Sequence, residues 1–262
     1  MGIIAVMEAS SASPEAVSTT FAAWFTTSLG RYLLEREQGY FDRTVADIFG
    51  YHALQIGLPD CPFLAQSRIV SRFTLDYDPP ADILADPHAL PFAENALDLL
   101  VLPHALEFTD DPHQMLREAH RVIRPEGQIV ISGFNPFSLF GAKRYFGRGA
   151  TPPWNGSFIA LYRLKDWLAL LGFDVVGGRL DCYVPPFAQE KWLNRFGFFE
   201  RAGDRWWPIA GGIYFLRATK RVLGMRVIMP TRERRERRNG VLVAAPRARE
   251  GLTLHHRRRH PR

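Results

Sequence analysis

The chain has few cysteines and lacks long apolar runs. Its 262 residues include two cysteines, Cys61 and Cys182, which lack the close spacing of metal ligands. This argues against a disulfide-stapled fold and a zinc site, and it suits a reducing compartment. No window approaches the roughly 18 to 20 apolar residues of a membrane span, and the start, MGIIAVMEASS, lacks a basic signal-peptide region. We expect a cytoplasmic protein without a membrane span or a bound metal.

Acidic residues are scarce at the C-terminal end. Residues 220–262 hold 14 Lys and Arg against 3 Glu, so they carry 14 − 3 = +11 of a total net charge of +6. The rest of the chain is therefore mildly acidic, at 6 − 11 = −5. A basic arm of this kind binds nucleic acid or anionic lipid through phosphate contacts, or simply keeps the chain soluble. Any nucleic-acid contact through the tail is expected to be non-specific, because the tail has almost no aromatic residues for base stacking.

The composition predicts a folded core with unstructured ends. We expect disorder in residues 1–14 and in the basic tail, 226–262, and a single α/β domain over residues 15–222. Within that domain, residues 134–162 and 181–208 are rich in glycine, proline and aromatic side chains. We interpret them as irregular insertions of the kind that often carry function.

The first predicted element is a helix over residues 14–38, with Ser13 as its N-cap. Apolar residues recur along it at every fourth position and predict one buried face: Phe21, Phe25, Leu29 and Leu33. Packing on the domain is the simplest interpretation. A mobile lid or a membrane-contacting helix is the alternative.

Five short apolar runs then predict central strands, and the continuous run LDLLVLP is typical of a parallel strand covered on both faces. The predicted strands are residues 52–57, 69–78, 83–86, 97–103 and 128–133. A helix is predicted between the last two, with Asp111 as N-cap, Pro112 at the first position and Gln114 completing a capping box.

The signals that follow are weaker. We predict a helix over residues 163–171, a strand over 173–177, and a strand over 213–219 that pairs with it as an antiparallel edge.

Two segments together resemble a known family. ILADPHALPF and ALDLLVLPHALEFTDDPHQMLREAHRVIRPEGQIVIS are similar to class I S-adenosylmethionine-dependent methyltransferases of the type 11 group. The similarity spans about residues 53–135, and GYHALQIG and ISGFNP are phrases of a little-characterised bacterial branch. It implies a Rossmann-like α/β fold, with a mostly parallel seven-stranded sheet, an antiparallel edge strand and helices on both faces. It also implies S-adenosyl-L-methionine as the cofactor.

Asp86 is the strongest single candidate for ligand binding. It follows a short strand and precedes a proline, so it either accepts a ligand amine or caps the next turn. The resemblance favours the first role and implies that Asp86 and the Pro87 backbone bind the adenine.

The resemblance also implies the remaining cofactor contacts. Gly57 matches the first glycine of the cofactor loop, and Pro103 and His104 match the wall beside the sulfonium. Asp76 or Asp78 would accept the ribose hydroxyls, although a solvated loop is the alternative for both.

The cofactor loop departs from the family pattern of an acidic residue followed by Gly-x-Gly-x-Gly. Gln55 stands at the acidic position, and Pro59 and Cys61 stand at the later glycine positions. Proline removes an amide donor, and side chains hinder close approach of the backbone to a ligand. Only about ten residues separate Gly57 from the next strand, so we expect the first helix to be shortened or missing.

Catalytic residues are not evident, and methyl transfer requires no obligatory nucleophile or metal. His104 and Asn135 are the candidates, as a base near the acceptor and as an acceptor contact. Each has an alternative as a loop-ordering residue. His113 and His120 are expected on a helix surface. Four aromatic residues would either line an acceptor pocket or pack in the core: Trp154, Phe158, Trp206 and Trp207.

Two hypotheses follow. The first is a methyltransferase acting on a small-molecule acceptor that the sequence does not identify. The second is a catalytically inactive, methyltransferase-like binding module whose basic tail contacts RNA. The loop from Gly57 to Cys61 is the feature that separates them. The oligomeric state is not predicted.

Overall fold

The computed structural model describes residues 21–147, 151–186 and 210–221. Its strands lie in one seven-stranded sheet in the order β3-β2-β1-β4-β5-β7-β6. The strand bounds are β1 His52–Ile56, β2 Ser71–Asp76, β3 Ile83–Leu84, β4 Leu97–Pro103, β5 Ile123–Phe134, β6 Phe173–Asp181 and β7 Ile213–Lys220. The helix bounds are α1 Ser28–Ala46, α2 Pro112–Val122, α3 Leu139–Phe146 and α4 Leu161–Leu170, with a 3-10 turn at Ala105–Glu107.

The sheet confirms the predicted Rossmann-like fold. The first five strands pair in parallel. β7 runs antiparallel to both of its neighbours, β5 and β6, so the antiparallel strand lies just inside the edge strand β6. All seven residues of β4 are buried, as its continuous apolar sequence predicts for a central strand.

Side chains that alternate along the strands build a core on each face of the sheet. Leu99 and Val101 of β4 pack on the face that α1 covers. Leu100 and Leu102 pack on the opposite face, with α2 and α4. The helices therefore lie on both faces, and the carboxyl ends of the parallel strands are brought to one edge.

The N-terminal helix differs from the prediction. Residues 21–24 are helical, a turn follows, and α1 begins after a new N-cap at Thr27, whose hydroxyl accepts from the Gly30 amide. A Cβ on Gly30 would lie 2.3 Å from the Trp24 carbonyl oxygen, so this glycine permits the close packing at the turn. The helix continues to Ala46, beyond the predicted end, and the predicted apolar face is buried.

Other predicted elements are confirmed with changes. Asp111 caps α2 by accepting from the Gln114 amide, but the Gln114 side chain donates to the His88 carbonyl instead of closing a capping box. Residues 57–70, all described, form turns, so no helix connects β1 to β2 there. The insertion predicted to be irregular contains α3, capped by the Ser138 hydroxyl.

The described residues belong to one compact unit. The predicted disordered ends, residues 1–14 and 226–262, and most of the predicted loop 181–208 lie outside the described residues. Among the described helices, none combines the length and the apolar character needed to cross a membrane. Cys61 and Cys182 are buried and form no disulfide.

Candidate functional site

A cavity of about 230 Å³ opens at the carboxyl edge of the parallel strands. This is the position at which open α/β sheets bind ligands. It is lined by residues that follow β1, β2, β3 and β4, by the start of α2, and by Phe21. Five of the six predicted cofactor residues lie in this lining: Gly57, Asp76, Pro87, Pro103 and His104. The sixth, Asp86, is not part of the lining, although its neighbours Pro87 and His88 are.

Asp76 ends β2 and is 5% exposed. One of its carboxylate oxygens accepts from the Tyr77 amide at 2.7 Å. Asp76 lines the cavity, whereas Asp78 stands further along the loop. The geometry therefore favours Asp76 of the two carboxylates that the sequence offered.

Asp86 lies beside the cavity, in a cluster that fixes the loop after β3. Its Oδ1 accepts from the Tyr77 hydroxyl at 2.9 Å and from the His88 amide at 2.8 Å, and it lies 2.8 Å from His88 Nδ1. Desolvation opposes the charge of Asp86, but these hydrogen bonds outweigh it and lower the carboxyl pKa. His88 Nε2 is 2.5 Å from the Thr109 hydroxyl, so the cluster links the loops that follow β3 and β4.

The degenerate loop is held by Gln55, which is completely buried. Its Nε2 lies within hydrogen-bond distance of the carbonyls of Gly57, Leu58 and Cys61, at 3.1, 2.9 and 2.9 Å. Its Oε1 accepts from the Phe63 amide at 3.2 Å. An acidic side chain, which the family has here, would lack the donor that these carbonyls need. Gln55 therefore replaces the glycine-rich turn with a loop tied to the core.

In this loop, backbone amides that could otherwise bind a phosphate or carboxylate ligand are already hydrogen-bonded within the protein. The Gly57 amide donates to the Leu75 carbonyl, and the Cys61 amide donates to the Leu58 carbonyl. Gly57 keeps the left-handed conformation, with φ of +84°, that a glycine adopts without strain. The cavity beside this loop is thus shaped by Gly57 and by the buried Leu58 side chain.

Glu37, His104 and Glu107 form a buried ion cluster at the cavity wall. His104 Nδ1 lies 2.7 Å from a Glu107 oxygen, and Nε2 lies 2.6 Å from a Glu37 oxygen. Burial alone would lower the pKa of His104, but the two carboxylates raise it to about 10. Both ring nitrogens therefore carry protons at neutral pH.

This cluster ties three elements to one another. Glu37 comes from α1, and His104 follows β4 with a left-handed φ of +53°. The second oxygen of Glu107 accepts from the Phe134 amide at the end of β5. Burial raises the pKa of Glu107. In the described part of the chain, two buried side-chain oxygens lack a hydrogen-bond partner, Glu37 Oε2 and Ser132 Oγ.

Of the two catalytic candidates, His104 lies at the cavity and Asn135 lies in the turn that follows β5. His104 faces the cavity, but an imidazolium bonded to two carboxylates has no lone pair with which to take a proton, so a base role would require release from one of them. Asn135 orders the turn from β5 into α3: its amide donates to the Gly211 carbonyl at 2.9 Å, and its oxygen accepts from the Phe137 amide at 3.0 Å.

The remaining candidate residues that the structure describes pack against other parts of the domain. His113 packs against Trp167 on the surface of α2, with 4.0 Å between ring centroids. Trp154 and Phe158 pack against the core, whereas Trp206 and Trp207 lie outside the described residues. Among the described residues, no group of three or more His, Cys, Asp or Glu side chains could hold a metal ion.

Sequence reasoning missed Glu37, Tyr77 and His88. A signal for Glu37 was present, because it continues the series of buried residues spaced by four that runs through Leu33 to Phe41. A charged residue in an apolar stripe needs a buried partner. Tyr77 and His88 had no comparable signal, since their partners come from different loops.

The comparisons with known proteins agree with this geometry. A family model described as a methyltransferase domain, of the type 11 group, matches residues 65–131. Residues 65–131 are therefore similar to a type 11 methyltransferase domain. The match begins after the Gly57–Cys61 loop, which is where the sequence departs from the family. The family implies S-adenosyl-L-methionine as the cofactor.

One curated relative is the uncharacterized protein YafS of Escherichia coli (strain K12). It is 38% identical over 132 residues, which are 49% of this chain and 55% of YafS. The chain therefore spans about half the length of the curated relative that it matches.

Solved structures support the fold. A chain from the Haloferax volcanii complex that contains the methyltransferase activator Trm112 aligns with a TM-score of 0.56 at 14% identity, covering 79% of this chain and 98% of that one. An S-adenosylmethionine-dependent methyltransferase from Thermotoga maritima aligns with a TM-score of 0.53 at 15% identity, with the same coverage of 79% and 98%.

The first test concerns the loop. Gln55→Glu should destabilise the protein by about 2 to 3 kcal/mol, because a buried carboxylate would face three carbonyl oxygens. Denaturant unfolding measures the change, and Gln66→Glu, on an exposed position, should shift stability by less than about 0.5 kcal/mol. Equal effects of the two substitutions would show that Gln55 does not hold the loop.

The second test concerns the ion cluster. Glu107→Gln should cost about 3 kcal/mol of unfolding free energy, because an NH2 group would replace one of the two acceptor oxygens and would face a donor, either His104 Nδ1–H or the Phe134 amide. Glu126→Gln is the control: Glu126 pairs with Arg221 at the surface and is 61% exposed, so its loss should cost less than about 1 kcal/mol. A cost for Glu107→Gln as small as the control would contradict the cluster.

The third test concerns protonation. The folded pKa of His104, about 10, lies above its ordinary value of 6.5, so its stabilising contribution is complete below about pH 6.5 and is lost as pH rises towards 10. Nuclear magnetic resonance of the ring nitrogens should show His104 as an imidazolium at pH 8 and His120 as neutral, since burial lowers the pKa of His120. A neutral His104 at pH 8 would overturn the assignment.

Proposed function

We propose that this chain is an S-adenosylmethionine-dependent methyltransferase acting on a small-molecule acceptor. The observation that carries the proposal is the cavity at the carboxyl edge of the sheet, with the buried Asp76 at the end of β2. The family match supports the cofactor class, and the activity and acceptor of the whole protein are our inference.

The cavity residues fit the nucleoside portion of the cofactor. A carboxylate such as Asp76 accepts hydrogen bonds from vicinal hydroxyls. Ile56, Leu58 and Met115 give the apolar wall that a flat base needs, and Pro87 contributes the wall that follows β3. The loop after β1 fits the carboxylate end less well, because the Gly57 and Cys61 amides are bonded within the protein.

The charges and aromatic rings at the cavity wall would attract a positively charged group of a bound ligand. Asp76 and Asp110 both line the cavity, and the cluster behind His104 sets two glutamates against one imidazolium. Phe21 and Phe108 add aromatic faces, with 4.5 Å between their ring centroids. Aromatic faces and nearby carboxylates attract a cation in a site of low dielectric constant.

The chemistry then depends on positioning. S-adenosylmethionine, when bound, supplies an electrophilic methyl group on a positively charged sulfur. The protein's contribution is to align the acceptor and to exclude water from the cavity, whose lining includes Phe21, Phe108 and His88. His104 holds its proton between the two glutamates and shapes the wall rather than removing a proton from the acceptor.

An inactive binding module is the second candidate, and the loop held by Gln55 favours it. This alternative retains the fold and the cavity without turnover, and it includes the predicted contact of the basic tail with RNA. The cytoplasmic location remains a proposal for both candidates.

Calorimetric titration of the full-length protein tests the proposal. S-adenosylmethionine and S-adenosylhomocysteine should bind in the micromolar range. Asp76→Asn should weaken binding roughly tenfold, because it replaces a charge-assisted acceptor by a neutral one. Asp78→Asn should change affinity by less than about twofold.

The outcomes test cofactor binding, which the methyltransferase requires and the inactive module does not. If folded wild-type protein releases no heat at millimolar ligand, the methyltransferase proposal fails and the inactive module stands. If wild type binds and both variants bind equally, the cavity is retained but Asp76 is not the hydroxyl acceptor.

A further inference from the structure

A patch of exposed aromatic and aliphatic side chains lies on and around α3. We call it the α3 patch and define it by its five members: Phe137, Leu139, Tyr145, Phe146 and Tyr162. Their exposed fractions are 63%, 51%, 83%, 83% and 65%. The Phe137 and Tyr162 rings stack at 6.3 Å, and the Tyr145 and Phe146 rings lie 5.1 Å apart. Clustered apolar exposure of this kind marks an interaction site more often than scattered exposure does.

The first half of α3 is fixed to the domain. Phe140 is completely buried. Gly141 packs so closely that an added Cβ would lie 1.9 Å from the Pro136 carbonyl oxygen. The helix therefore presents its outer side, with Leu139, Tyr145 and Phe146, away from the core. Their exposure follows from how the helix is seated.

The charge around the patch is mostly positive, with Asp166, one helical turn beyond Tyr162, as an exposed acidic neighbour. Residues 134–165 include Lys143, Arg144, Arg148, Arg163 and Lys165 and no Asp or Glu, a formal charge of +5. Lys143 donates to the Pro186 carbonyl at 2.9 Å, and Arg144 donates to the Gly156 carbonyl at 2.6 Å. Both residues remain exposed. The segment thus combines protruding rings with anchored cations.

This combination fits the surface of an anionic bilayer. Aromatic side chains insert at the level of lipid headgroups, and nearby cations are attracted to lipid phosphates. A nucleic acid fits less well, because Leu139 and Phe146 offer no polar group to a base or a phosphate. A second copy of the chain would bring two segments of charge +5 together.

We propose that the α3 patch docks the protein on membranes that contain anionic phospholipids. The patch follows β5, at the edge of the sheet where the cavity opens, and Gly156 in the neighbouring loop packs against Phe108 of the cavity lining. Docking would bring that edge of the domain to the bilayer. The inference does not depend on cofactor binding, so the two stand or fall separately.

Vesicle sedimentation of the full-length protein tests the docking. Vesicles of phosphatidylcholine with about a third phosphatidylglycerol are compared with phosphatidylcholine alone. Tyr145→Ser with Phe146→Ser should lower the partition coefficient for the anionic vesicles roughly tenfold. The matched control is Phe49→Ser with Tyr51→Ser, since these side chains are 71% and 74% exposed elsewhere on the domain. The control should change partitioning by less than about twofold.

The basic tail needs its own control. Repeating the assay at about 0.5 M salt, where the screening length falls to roughly 4 Å, suppresses binding by exposed charges more than binding by inserted rings. The difference between the two double variants should therefore persist. Its disappearance would assign the membrane contact to charge alone and overturn the docking role of the patch.

Further results of the vesicle assay would also decide whether the α3 patch docks on membranes. Equal partitioning of wild type and the patch variant overturns the proposal, as does equal binding to both vesicle types. Loss of RNA retention or of a concentration-dependent dimer in the patch variant, with vesicle binding unchanged, assigns the patch to that partner instead. If the double variant does not melt at the wild-type temperature, Phe137→Ser with Tyr162→Ser replaces it, and the same loss is expected.

Discussion

The hydrogen-bonded ion cluster of Glu37, His104 and Glu107 is the constraint on which the candidate site depends. It joins α1 and the turn after β4 to the end of β5 at the edge where the cavity opens. An imidazolium between two buried carboxylates is stable only while every partner stays in place, because each charge removed from water requires compensation. The cavity wall at His104 is therefore as rigid as this cluster.

Gln55 plays the corresponding part on the other side of the cavity. In the family pattern, glycines shape the loop after β1, whereas here one buried amide holds three carbonyls and accepts one N–H. A loop fixed in this way does not need the conformational freedom of later glycines, so Pro59 and Cys61 are tolerated. The same bonds direct the loop's polar groups inward, so the cavity lies beside a loop that differs from the family pattern.

The elements that the sequence predicted well have local causes. The apolar run of β4, the Asp111 cap of α2 and the buried face of the N-terminal helix each follow from neighbours close in sequence. Where the prediction was wrong, the close packing of a glycine was involved: Gly30 approaches the Trp24 carbonyl at the turn that interrupts the first helix, and Gly141 packs against Pro136 where α3 forms in a segment that was expected to be irregular.

The sequence by itself determined the sheet, its parallel core and the positions of Asp76, Pro87, Pro103 and His104 at strand ends, because strand ends are set by short-range patterns. Tertiary structure alone decided the burial, hydrogen bonding and protonation of these side chains. It placed Asp76 rather than Asp78 in the cavity lining, bonded Asp86 to Tyr77 and His88, and charged His104 through Glu37, a residue 67 positions away. Protonation and burial depend on which groups meet in space, and one-dimensional spacing does not contain that information.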